Sequence, residues 1–401
     1  WKKADANNKI STYKWYDYSN KIWANAVTVT ETNRSKYLSA VAGTEIPISD
    51  INTMWVWIPR YTYTYLNTNT PEEIKIKFEK GTSSSSTISC SDTATGTSST
   101  SETCTDSTNG SVTVGTSTYT HPAFWWDKND NNIREAGEEL TGIWVGKFEL
   151  TGTIGDITIK PNLSSLRGQT ISSFETNIMN MKNTNNKYGF STSSDSHMIK
   201  NMEWGAVAYL AHSKYGRCES GTCSEISINN CSNYITGIGA DGVSSSSGTY
   251  SCTNNDNKYN GSKGVLASTT GNVYGIYDMS GGTYEYVMGN SVNSSGTMYS
   301  ASSGFSTYPA LKYYDRYSYG TSGNDYTRGK LGDATKEMMS TTTSYQSWYS
   351  DFAKFLNNGD SWFVRGNGSN DTTGAGIFSF LANVGGSSTY YSTRAVISNL
   401  S

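Results

Sequence analysis

The twelve positions from 127 to 138 read DKNDNNIREAGE, and oxygen donors recur there at the spacing of a cation loop. With Asp127 first, Asn129, Asn131, Glu135 and Glu138 fall third, fifth, ninth and twelfth, and the Ile133 carbonyl falls seventh. A hard cation collects roughly six to eight oxygens, and this ladder is the one used by calcium loops. Asn132 stands where glycine usually makes the sharp turn, and asparagine tolerates the left-handed backbone needed there. The expectation is a structural calcium ion that stiffens the link to the strand starting near 141. The alternative is a solvated acidic turn.

Six cysteines form a second pattern: Cys90 with Cys104, Cys218 with Cys223, and Cys231 with Cys252 are close neighbours in the chain. All sit in stretches rich in Ser, Thr, Gly and Asn, where local bridges would staple loops in an oxidising compartment. Six cysteines allow some fifteen connectivities, so proximity is the guide. Zinc at Cys218 and Cys223 is the competing reading, but no histidine pair matches it. The three histidines, His121, His197 and His212, are widely separated. No G-x-S-x-G elbow accompanies them, and no catalytic residue is assigned.

The elements that hold these groups are short. TMWVWIPRYTYTYL (53–66) alternates and contains β-branched and aromatic residues, which predicts two strand halves broken at Pro59. TYKWYDYSNKIWANAVTV predicts strands or a hairpin turning at Ser19–Asn20. TGIWVGKFELTG (141–152) predicts a strand. Helices are predicted over 170–182, over 197–213 with Met202, Ala206, Tyr209 and Leu210 on one face, and over 344–357. The division expected is a β-rich region over 1–66, a Ser/Thr-rich insert with the calcium loop over 67–140, and a main domain over 141–401. The fold class is α+β, dominated by loops.

Composition bounds the function. The 401 residues carry a net charge of −3, so a basic face for nucleic acid is excluded. Charged residues make up 16% and aromatics 13%, with 29 Tyr and 11 Trp. A surface of Tyr, Ser, Thr and Asn suits contact outside the cell. No apolar run is long enough to span a membrane. The start at Trp1 reads as a processed or truncated product. The low-complexity stretch 81–118 would need a staple or neighbouring subunits to order it.

Four segments in order carry a resemblance. GIWVGKFELTG (142–152), HMIKNMEWGAVAYLAHSKYG (197–216) and GNVYGIYDMSGGTYEYVMGN (271–290) are followed by WFVRGNGS (362–369) with YYSTRAVI (390–397). Together they resemble the formylglycine-generating-enzyme-like branch of the C-type lectin fold. The calcium segment likewise resembles loops of Gram-positive surface adhesins. The family resemblance implies the scaffold over roughly 142–397. It also departs from the enzymes, which use a late cysteine pair for copper, or histidines with a carboxylate for iron. No cysteine follows Cys252. In the third motif Gly275, Gly281 and Gly282 are expected to turn with positive φ. Ile276, Tyr277 and Met279 are expected to pack inward. Asp278 and Glu285 should find backbone or arginine partners, with Arg365 and Arg394 as the arginines.

Non-catalytic members of the fold include display proteins of phages and bacteria. Residues 366–392 look like such a display region, so the expected ligand-contacting residues are Trp362, Asn367, Ser369, Asn370, Asp371, Asn383, Ser387, Tyr390 and Tyr391. The expectation is a non-enzymatic extracellular structural or binding protein. It would be a homo-oligomer or filament subunit on a cell or virion surface, presenting a lectin-type domain to a glycan or protein receptor. The alternatives are a monomeric adhesin or an oxidase of the resembled family.

Overall fold

A computed structural model describes residues 1–92, 102–129, 135–240, 252–299, 301–339 and 345–399. The fold is α+β: mostly short strands in several small sheets, with three α-helices among the described residues.

One five-stranded antiparallel sheet runs in the order Asn25–Val29, Ile51–Pro59, Gly142–Gly146, Ala395–Asn399, Asp195–Met198. Its strands come from both ends of the chain, so residues 25–59 share a sheet with residues 142–399. Ile51–Pro59 is apolar and buried along nearly its whole length, as a central strand covered on both faces must be. Pro59 closes it. After Arg60 the chain re-enters a different sheet as Tyr61–Thr64, between Ile76–Phe78 and Thr118–Thr120. The expected break at proline is thus also a change of sheet.

A second five-stranded sheet is built around Tyr284–Ser291. It pairs with Trp362–Gly366, in parallel with Asp315–Tyr317, and in parallel with Tyr391–Ser392. Gly376–Asn383 extends it. The helix Asn201–Ala211 lies against this sheet and is buried at every position. Met202, Ala206, Tyr209 and Leu210 are inside as expected, but the other faces are inside too. A helix apolar all round belongs in a core rather than on a surface. Gly205 is needed here, because a Cβ would stand 1.9 Å from the Gly332 carbonyl.

The predicted helix 170–182 is the α-helix Ile171–Met179 continued by a 3₁₀ turn, with the Thr170 hydroxyl capping the Ser173 amide. The predicted helix 197–213 is shorter at its start, because Asp195–Met198 is taken as a sheet edge. The helix expected over 344–357 does not form among its described residues. Ser347 Oγ donates to the Phe378 carbonyl, and Asp351 Oδ2 accepts from the Phe378 amide. Tyr349 and Ser350 adopt positive φ. Tertiary hydrogen bonds and a buried Trp348 override the local pattern. One helix, Glu31–Ser39, was not anticipated: it is polar and buries only Tyr37, so it has no apolar stripe to read.

All six cysteines are paired, as Cys90–Cys104, Cys218–Cys223 and Cys231–Cys252. Three bridges are consistent with an extracellular setting. Among the described residues no helix is long and apolar enough to cross a membrane.

Candidate functional site

The third motif builds a buried charged centre. Glu285 and Arg394 are both fully buried and bonded twice, once at 2.9 Å through Nε and once through the terminal nitrogen. Burial pushes the Glu285 carboxyl up to about 7, against the pull of Arg394. Arg394 also donates to the carbonyls of Gly146 and Tyr277, tying both sheets and the motif loop. Asp278, at φ +62°, takes the backbone alternative, accepting from the Gly237 amide and also from Asn229 Nδ2. Arg365 departs from expectation in holding no carboxylate by a hydrogen bond among the described residues. It donates to Asn201 Oδ1 at 2.7 Å and to the carbonyls of Asp333, Ala334 and Ser379. The carbonyls of Asp333 and Ala334 accept from its planar fork in place of a carboxylate.

Ile276, Tyr277 and Met279 are fully buried, as expected. Gly281 and Gly282 adopt positive φ, whereas Gly275 does not. At Gly282 a Cβ would stand 2.6 Å from Glu149 Oε1. That carboxylate, missed in the sequence, accepts from the Thr283 amide and the Ser165 hydroxyl, and burial raises its pKa well above the usual range.

The histidines are all interior. His121 Nε2 lies 2.9 Å from the Gly332 carbonyl, and burial lowers its pKa to about 3. His212, lowered to about 4 by burial, bonds the Tyr349 hydroxyl at 2.7 Å. His197 stands between two carboxylates, 2.9 Å from Glu203 and 3.2 Å from Asp195. Burial alone would lower its pKa, but Glu203 and Asp195 outweigh it and raise it to about 10. Its Nδ1 contact to Asp195 is off the hydrogen-bonding line and acts as an ionic attraction.

In the predicted calcium loop, Asn131 and Ile133 lie outside the described residues. Glu138 is buried and accepts from the Trp125 indole, the Lys128 amide and the Glu135 amide. Asn129 Nδ2 donates to Glu135. The loop is held by hydrogen bonds among its own ligand candidates, and a calcium ion would have to draw Glu138 from those donors. Asp127 is buried and, with Trp125, lines a cleft described below.

The expected ligand-contacting residues divide. Trp362 is fully buried and stacks on Phe305. Asn367 is buried and donates to the Gly374 carbonyl, and Ser369 is buried with its amide on the Gly282 carbonyl. Asp371 caps the Gly368 amide. Asn383 joins Tyr286 and Tyr391, whose rings stack 4.7 Å apart. Ser387 Oγ donates to Gly168. Asn370, Ser387 and Tyr390 are exposed.

A cleft of about 630 Å³ opens elsewhere, a feature the sequence did not reveal. One wall is the disulfide hairpin, through Ser89, Ser91 and Glu102. The second is Tyr119, Trp125, Asp127 and Glu139. The third comes from the main body: Lys200, Lys312, Tyr314, Asp315, Arg316 and Lys330. Glu102 bolts the hairpin across by accepting from the Leu331 amide and Lys336. Glu139 is paired with buried Arg60. Asp315 accepts from the Met202 amide at 2.7 Å, and burial raises its pKa. A groove whose lining runs from Ser84 to Lys330 leaves no local signal.

No protein-family model matches this chain, and no curated protein matches it in sequence.

Proposed function

We propose that this chain is a non-enzymatic extracellular protein, a subunit of a surface filament, appendage or virion coat that presents a lectin-type domain for attachment. The observation that carries the reading is the use made of the groups that could do chemistry. Glu285 pairs with Arg394, Arg365 holds Asn201 and carbonyls, and Asp278 accepts from Asn229 and the Gly237 amide. The histidines are buried in hydrogen bonds and ion pairs, and the cysteines are closed into bridges. Such groups fix loops in place and leave reacting atoms nothing to approach. The motif resemblance supports a C-type-lectin-like scaffold, and the bridges support life outside the cell.

Calcium remains part of the proposal as a structural ion at Asp127, Asn129, Glu135 and Glu138, competing with the amides that Glu138 now accepts from. It would supply charge neutralisation and loop rigidity.

Assembly tests the reading. Negative-stain electron microscopy and light scattering of the purified chain are expected to show regular oligomers or filaments. A monodisperse monomer at high concentration would favour the anchored-adhesin alternative and contradict the subunit reading.

A further inference from the structure

We infer that the cleft between the Cys90–Cys104 hairpin and the main body is an oligosaccharide-binding site. This rests on the attachment reading above and gives it a place and a ligand class. The cleft volume of about 630 Å³ is that of a ligand pocket, typically about 300–1,000 Å³.

Its walls are held before any ligand arrives. The disulfide joins Cys90 and Cys104 directly across the hairpin, and Glu102 ties that hairpin to Leu331 and Lys336. The Trp125 indole is fixed by Glu138 at 3.0 Å. Lys200 sits at the start of a fully buried helix, its amide held by Glu203. Pre-set walls reduce the ordering cost of binding.

The chemistry of the lining selects the ligand. Trp125 brings a half-buried ring to the same space as serine hydroxyls, carboxylates and amines, while Tyr119 and Tyr314 in the lining are buried. A sugar ring has an apolar C–H face that packs on aromatic rings. Its hydroxyls both donate to carboxylates and accept from Lys and Arg. An apolar ligand would waste this polar lining. A nucleic acid would need one sign of charge, whereas both acids and bases line this cleft in a chain of net charge −3. The exposed tyrosine of the C-terminal loops, Tyr390, lies outside this lining.

The test uses the intact, oxidised chain and immobilised mucin, before and after periodate oxidation of its sugars, together with a printed array of neutral and acidic oligosaccharides. Wild type is expected to bind untreated mucin and at least one oligosaccharide class, and to lose mucin binding after periodate. Trp125→Ala removes a central ring and is expected to weaken binding about tenfold or more. Ser89→Trp, at an exposed hairpin position, fills the cleft without touching the core and is expected to abolish binding with an unchanged melting curve. Tyr16→Ala, at an exposed ring outside this lining, is expected to bind as wild type. Silence on the whole array, binding that survives periodate, or loss with Tyr16→Ala but not with Ser89→Trp would overturn the inference. Silence from a chain that still assembles overturns only this site. Glycan binding by a strict monomer keeps the site and overturns the subunit reading.

Discussion

Arg394 reaches Glu285, Gly146 and Tyr277 from one fully buried guanidinium, so its removal strands a carboxylate with no water to take over. Arg394→Ala is expected to cost about 3–5 kcal/mol in denaturant unfolding, as breaking a buried pair from one side does. A cost under about 1 kcal/mol would mean the pair is not structural. His197 gives a pH signature. Its folded pKa of about 10 lies above the ordinary value of 6.5. The imidazolium therefore stabilises fully below pH 6.5, and that contribution is lost as pH rises toward about 10. His197→Gln should lower the melting temperature most at pH 6 and progressively less toward pH 10. A penalty independent of pH would show that His197 is held neutral.

The hairpin Ile88–Asp92 with Glu102–Asp106 is a two-stranded element, marginal by itself. Its bridge closes a separation of 14 residues, worth roughly 3 kcal/mol in the loop-entropy account. Replacing Cys90 and Cys104 by Ser is expected to lower stability by about 2–4 kcal/mol and to open 88–106 to proteolysis before the rest of the chain. Equal protease resistance would show that Glu102 and its partners suffice. At this scale the sequence was partly legible. The strand after Gly142, the helices near 171 and 201, the break at Pro59 and the nearest-neighbour bridges follow from alternation, periodicity and spacing. The helix Glu31–Ser39 had no apolar stripe to reveal it, and the aromatic run 345–357 read as helical while its side chains were claimed by Phe378. Glu149 was missed because one acid in an apolar strand looks like a solvent-facing residue until the Thr283 amide and the Ser165 hydroxyl are seen around it.

The whole molecule draws strands from both ends of the chain into one sheet and carries a separate groove between an insert and its main body. Neither is a local property, so neither could be read from motifs. The third motif gave the buried centre, while the groove came from long-range assembly. The central claim is that the framework is kept for shape, with its charged groups committed to holding loops. Metal content after equilibrium dialysis against calcium, copper and iron tests it most directly. The account predicts that copper and iron stay far below one per chain, with any bound metal being calcium lost on mutating Asp127 to Ala. One copper or one iron held per chain, and released by changes within 253–401, would contradict it.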